Sequence, residues 1–233
     1  AGLVSVPKSV EQPLESHSRN VDGTLAVLEA ARTNDARVVF ASSAAVYGPP
    51  TEVPVTEAEP TQPTSPYGVD KLAADHYTRL YHDRYGVDTV SLRYFNVYGP
   101  GQNGGVVDAF ADRLEAGQPL TVEGDGQQTR DFVHIADVVR ANLAAATTDE
   151  VGGAYNIGSG ESISIRALAE KMRTLADAEV PIRHTPSRGD DIRASRADPS
   201  QAREGLGFEA TIGLDAGLAA LLRPDVQRQN LSD

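Results

Sequence analysis

The 233-residue sequence predicts an α/β fold around a sheet of parallel strands. Three observations carry that prediction. Helix-periodic segments alternate with short strand-like runs, the connections between them are short, and at least one strand run is almost wholly apolar. An unbroken apolar run is what a strand buried on both faces requires.

In order along the chain, NVDGTLAVLEAARTND (20–35) spaces Val21, Leu25, Val27, Leu28 and Ala31 at helical intervals. RVVFAS (37–42) reads as a buried strand, and YGPPTEVPVTEAEPTQPTSP (47–66) holds too much proline for any element interior. A helix follows, with Ser65 as N-cap, Pro66 at its first position and Gly86 closing it. DTVSLRYF (88–95) is the next strand. After about residue 98 the elements shorten and glycine-rich turns separate them. Helices are expected over 105–116, 135–147 and 164–177, with short ones near 199–204 and 213–222. Strands are expected over 119–123, 129–134, 154–157 and within 180–188. The tail PDVQRQNLSD has no apolar period and reads as frayed.

The composition excludes several classes of function. There are no cysteines, so disulfides, thiolate nucleophiles and cysteine metal sites are ruled out, and a reducing, cytoplasmic setting is expected. The net charge is −12, and the only lysines are Lys8, Lys71 and Lys171. Such a chain lacks the phosphate-neutralising charge of nonspecific nucleic-acid binding, so no nucleic-acid partner is expected. No apolar run approaches the ~20 residues of a membrane span, so no membrane partner is expected. The five histidines show no metal spacing, and no metal is expected. No G-x-S-x-G elbow suggests a hydrolase.

TSPYGVDKLAAD (64–75) raises a chemical possibility. Residues i and i+4 share a helix face, so Tyr67 and Lys71 present a phenol and an ammonium side by side. A free phenol with a pKa near 10 is a poor base at neutral pH, and a held ammonium favours the phenolate. A shift of about three units needs only ~4 kcal/mol of differential interaction. Packing for the tyrosine and solvation for the lysine would suit the same spacing. Upstream, VVFASSAAVYG (38–48) puts Ser42 and Ser43 where a buried strand ends, which is where open parallel sheets bind ligands.

Taken together, these segments resemble the extended short-chain dehydrogenase/reductase family, and within it the nucleotide-sugar epimerases of the UDP-glucose 4-epimerase type. The matching runs extend almost end to end: SVEQPLESHSRNVDGTLAVLEAA, FASSAAVYG, SPYGVDK, LRYFNVYGPGQ, QTRDFVHIADVV, YNIGSG and RGDDIRASRAD. The resemblance implies a Rossmann-like sheet with a smaller C-terminal α/β substrate-binding region. The division expected is 1–97 for the NAD-binding part and 98–233 mainly for the nucleotide-sugar part, with some elements returning to the first. It implies NAD as cofactor, a nucleotide-diphospho-sugar as substrate and a homodimer. Leu80 and Tyr81, on the helix that carries Tyr67, could serve as dimer surface or equally as core.

The resemblance also assigns residues. Ser43, Tyr67 and Lys71 match the catalytic triad. Ala1, Gly2, Leu3, Asn20 and Phe95 join these three at the cofactor. On the substrate side, Ser43 and Tyr67 are joined by Asn96, by Val106 and Val107 at the base, by Arg130 and Arg188 at the pyrophosphate, and by Asp191 at the ribose. The implied chemistry is epimerisation at C4 through a 4-keto sugar, with Tyr67 taking the C4-hydroxyl proton through or beside Ser43. The dehydratases of the family carry an Asp-Glu pair where this chain has Ala44 and Ala45, which disfavours dehydration. UDP-glucuronate epimerases and decarboxylases stay open, as does a noncatalytic nucleotide-sugar-binding protein. Ser195 stands where sugar-discriminating epimerases carry a bulky Tyr, and Val4 where some carry a lysine.

GPGQNG (99–104) is a literal G-x-G-x-x-G between a strand and a helix. Pro100 removes a backbone N–H from a loop that would have to offer such groups to phosphate, which argues against it as the dinucleotide loop. The family's glycine-rich loop is expected about half a domain upstream of Ala1, so the chain reads as beginning in mid-domain.

Overall fold

A computed structural model describes residues 2–102, 104–187 and 192–222. The chain opens with α1 (Val6–Glu11) and α2 (Pro13–His17), then a π-helical turn over Ser18–Asp22 that runs into α3 (Gly23–Asn34). Next come β1 (Val38–Ser43), α4 (Pro66–Tyr85), β2 (Thr89–Tyr94) and β3 (Asn96–Tyr98). The second half holds α5 (Val106–Glu115), β4 (Leu120–Glu123), β5 (Thr129–Arg130), β6 (Phe132–His134) and α6 (Ile135–Thr147). It ends with β7 (Ala154–Ile157), β8 (Ile163–Ser164), α7 (Ile165–Leu175), β9 (Ile182–Thr185), α8 (Ser200–Leu206) and α9 (Leu214–Leu222).

The apolar runs pair in parallel, as strands joined through helices do. The main sheet has the order β1-β2-β7, with Val38 opposite Thr89 at one end and Ser43 opposite Tyr94 at the other. Its two faces differ in chemistry because side chains alternate along each strand. Val90, Leu92, Tyr155 and Ile157 pack with Val138, Ala141 and Ala202 of α6 and α8 into an apolar core. The alternate residues Ser42, Thr89, Arg93 and Asn156 are buried as well, and three of them bond on the α4 side: Ser42 and Arg93 to Asp75, Thr89 to the Thr78 carbonyl. A second core lies in the C-terminal region, where Val107, Phe110, Leu120, Leu168, Met172 and Leu218 come together.

Helix α4 matches its sequence signals. The Ser65 hydroxyl accepts from Gly68 N–H at 3.1 Å, and Gly86 closes the helix in the left-handed region at φ 69°. Tyr81, a candidate for dimer surface or core, is core: it packs with Leu28, Val38 and Val87, and its hydroxyl reaches Glu29. Two expectations change. Helices α1 and α2 precede the predicted first helix and are too short to show a period, although Ser5 caps the first and a proline opens each. The strand expected over 129–134 is two strands, with β5 antiparallel to β8 and β6 parallel to β3. Asp131 between them is fully buried and accepts from Ser159 N, Ser159 Oγ, Gly160 N and Ala197 N at 2.7 to 3.0 Å. Those bonds bind the two-strand corner to the loops beside it. Among the described residues no helix is long and apolar enough to cross a membrane.

Candidate active site

Three local devices bring the site together. Strand β1 ends at Ser43, which caps a short 3-10 turn over Ala44–Val46 by accepting from Ala45 N–H at 3.2 Å. Helix α4 begins opposite that turn, and its Tyr67 N–H, one of the donors a helix start leaves unpaired, is taken by Ser9 Oγ of α1 at 3.1 Å. The chain leaving β2 carries Phe95 and Asn96 to the same place. The result is a cavity of about 220 Å³ whose lining includes Ser43, Tyr67, Phe95, Asn96 and Arg130. Tyr47, Ala44, Ala45, Ile192 and Ser195 complete much of its wall.

Lys71 stands behind this cavity. It is 8% exposed, and its Nζ donates to the Ala41 carbonyl at 2.8 Å, inside β1. It lies 5.0 Å from the Phe40 ring centre and 5.9 Å from that of Tyr67. The ammonium thus stands near the Tyr67 ring while one of its donors bonds the strand. Burial raises the Tyr67 pKa above that of an ordinary phenol, with Ser43 pulling it down through a side-chain hydrogen bond. Burial also lowers the Lys71 pKa from its usual value. Sharing a helix face brings Lys71 alongside Tyr67, and its four-carbon stem lets the ammonium also reach the strand carbonyl of Ala41.

The remaining predicted residues divide. Asn20 is buried and locks the backbone of Leu3, accepting from Leu3 N at 3.1 Å and donating to Leu3 O at 3.0 Å. Gly2 lies against the same amide: a methyl group there would stand 2.6 Å from Asn20 Oδ1. Arg130 reaches the cavity, and its guanidinium donates to the Thr129 and Ile192 carbonyls at 2.8 and 2.6 Å. Val107 is 1% exposed inside the C-terminal core, and the partly buried Val106 packs against it. Ala1, Arg188 and Asp191 lie outside the described residues.

The sequence reading missed the second rank of polar groups. Ser16 Oγ donates to Asp70 Oδ2 at 2.5 Å, and His17 Nδ1 lies 3.1 Å from Asp70 Oδ1, tying α2 to α4 beside Lys71. Beneath the cavity, Arg93 donates to Asp75 and to the Tyr47 hydroxyl. Burial pushes the Tyr47 phenol up to about 12 despite the neighbouring Arg93. The one available signal was a charged Arg in the middle of a strand otherwise fit for burial.

A parallel α/β sheet with a Ser, a Tyr and a buried Lys converging at its C-terminal edge defines a Rossmann-like protein built for chemistry on a bound ligand. The chain belongs to the NAD dependent epimerase/dehydratase family, whose model matches residues 1–158, and the cofactor of that family is NAD. The chain is 37% identical over 226 residues to a UDP-glucose 4-epimerase of Mycolicibacterium smegmatis, covering 94% of this chain and 72% of that protein. Among solved structures it is similar to the UDP-N-acetylglucosamine 4-epimerase of Methanobrevibacter ruminantium in complex with UDP-N-acetylmuramic acid, with TM-score 0.93 and 32% identity over 98% of this chain and 75% of that one. It is equally similar to the Thermotoga maritima UDP-glucose 4-epimerase with UDP-glucose, with TM-score 0.93 and 33% identity over 99% and 76%.

Proposed function

We propose that this chain carries the proton-handling and sugar-binding residues for NAD-dependent epimerisation at C4 of a nucleotide-diphospho-sugar of the UDP-glucose/UDP-galactose type. The observation that carries the reading is the shared cavity of Ser43 and Tyr67, with Asn96 and Arg130 on its wall and Lys71 buried behind it. Tyr67 takes the C4-hydroxyl proton and later returns it, which is general acid-base work of the kind a positioned phenol can do. Ser43 bridges that hydroxyl to Tyr67 and favours the phenolate through the hydrogen bond that lowers the Tyr67 pKa. Arg130 and Asn96 orient the diphosphate and sugar by donating to their oxygens.

The residues present fit the cofactor. An ammonium has three N–H donors, and one of those on Lys71 is used by Ala41. Asn20 holds both backbone groups of Leu3, and a methyl at Gly2 would press on the same Asn20 amide at 2.6 Å. Lys71, the Gly2–Leu3 backbone and Phe95 would hold NAD, and Asn20 acts by fixing Leu3. When bound, NAD supplies a reversible hydride acceptor beside C4.

Ala44 and Ala45 at the cavity supply no acid for eliminating water, which favours epimerisation over dehydration. Ser195 on the wall leaves space that a bulky Tyr would fill, and this favours acceptance of an N-acetyl group on the sugar. The two core clusters support a division near residue 97, with β6, α6, β7 and α8 returning to the first part. A second copy of the chain suits the outer face of α4, where Val69, Tyr77 and Leu80 are exposed at helical spacing beside Val27 of α3.

The test is proton NMR of UDP-galactose incubated with the protein and NAD, alongside Tyr67→Phe. Growth of the UDP-glucose anomeric signal, lost in the variant, is the expected result. No conversion by a folded protein that binds NAD would overturn the proposed substrate.

A further inference from the structure

A connected row of buried polar side chains runs under the cavity. Ser42, Arg93 and Asn156 are register partners across β1, β2 and β7. Ser42 Oγ and Arg93 Nε both donate to one oxygen, Asp75 Oδ2 on α4, at 3.0 and 2.8 Å. Arg93 Nη1 donates to Tyr47 Oη at 2.9 Å, and that hydroxyl donates to Asn156 Oδ1 at 2.7 Å. None of these five residues is more than 9% exposed.

Stability alone does not account for such a row. A buried ion pair is commonly no better for stability than two apolar side chains of similar volume. What distinguishes this one is where its ends lie. Ser42 precedes Ser43. Asp75 is one helical turn beyond Lys71 and two beyond Tyr67. Tyr47 is itself cavity wall. Asn156 holds the proline-rich loop, donating from its side chain to Val55 O at 2.9 Å and from its backbone to Glu57 Oε1 at 2.7 Å. One carboxylate and one guanidinium therefore tie together the end of β1, the middle of α4 two turns beyond Tyr67, and the opposite wall. Apolar packing is non-directional and tolerates sliding, whereas charge-assisted hydrogen bonds fix both distance and angle.

We propose that Asp75 and Arg93 are positioning residues that set the separation of Ser43 on β1 from Tyr67 on α4, an inference that rests on reading those two as the proton-handling pair. Neither positioning residue lines the cavity. Their effect is exerted through Ser42 and Tyr47.

The test replaces the pair by apolar side chains, Asp75→Leu with Arg93→Met, and in parallel makes the shape-conserving Asp75→Asn in case the double variant does not fold. Two readouts are taken. The first is kcat and KM for UDP-galactose with NAD; kcat is expected to fall about 10- to 100-fold, the scale of a small misplacement of reacting groups, with KM within about twofold of wild type. The second needs no turnover: the ring-carbon NMR signal of Tyr67 in tyrosine-labelled protein, assigned by its loss in Tyr67→Phe, is expected to move as its contact with Ser43 loosens. A Tyr67 signal unmoved in a folded variant overturns the proposal, whatever kcat does. A moved signal with unchanged kcat overturns its catalytic consequence. Absence of turnover in the wild-type protein overturns the functional reading instead, and the Tyr67 signal then decides positioning by itself.

Discussion

A methyl group on Gly68 would stand 2.7 Å from the carbonyl oxygen of Ala45. The start of α4 and the turn that follows Ser43 are thus in backbone contact, and the residue at the contact lies between Tyr67 and Lys71. Gly68→Ala should raise helix propensity by about 1 kcal/mol. Overpacking against a carbonyl costs about 1–3 kcal/mol, so the variant is expected to be destabilised on balance. Urea denaturation and turnover should both register it, because α4 must move away from Ser43 to admit the methyl.

Tyr98 presents the opposite case, a group whose removal should help. Its hydroxyl is buried and has no hydrogen-bond partner among the described residues. Tyr98→Phe keeps the ring contacts with Phe132 and His134. It removes an unsatisfied polar atom, which is expected to add about 1 kcal/mol. A thermal melt should show a midpoint raised by about 2–4 °C. A lowered midpoint would mean that the hydroxyl is satisfied after all.

Alkaline pH should expose the same chemistry globally. Burial pushes the Tyr47 and Tyr98 phenols up to about 12, from an ordinary value of 10.0. The folded chain therefore keeps these protons, as it does those of the other raised phenols Tyr67, Tyr81, Tyr94 and Tyr155, where the unfolded chain releases them once pH passes 10. Their contribution to stability is whole below pH 10 and is lost as pH rises through 12. The urea midpoint measured from pH 8 upward should hold and then fall above 10, and Tyr98→Phe should make the fall shallower.

Ser43 should govern the pH dependence of turnover. Only the phenolate of Tyr67 accepts a proton, and the Ser43 hydrogen bond is what lowers its pKa against burial. Without that bond the phenolate forms at higher pH. Ser43→Ala is expected to move the ascending limb of kcat against pH upward and to reduce the neutral-pH rate by about 10²-fold or more. An unmoved limb would remove Ser43 from the proton path.

Much of the fold was legible in the residues. Ser65, Pro66 and Gly86 marked both ends of α4 because capping is local, decided by groups within one turn of each other. An apolar run located β1, although the strand is not buried on both faces as expected: Ala41 is exposed and Val39 only partly buried, because only alternate residues turn inward. Asp131 escaped notice as a strand breaker because its partners, Ser159, Gly160 and Ala197, lie far along the chain.

The site divides along the same line. Sequence by itself determined which residue types were available: a Ser at a strand end, a Tyr and a Lys one helical turn apart, and arginines suited to phosphate oxygens. Tertiary structure alone decided what they do to one another. It buried Lys71 between the Ala41 carbonyl and the Tyr67 ring, sank Val107 into a core, and joined Ser42, Asp75, Arg93 and Tyr47 into a single row. The physical reason is range. Helix caps and periodicity act over a few residues, whereas desolvation and long-range hydrogen bonds exist only once distant segments exclude water between them.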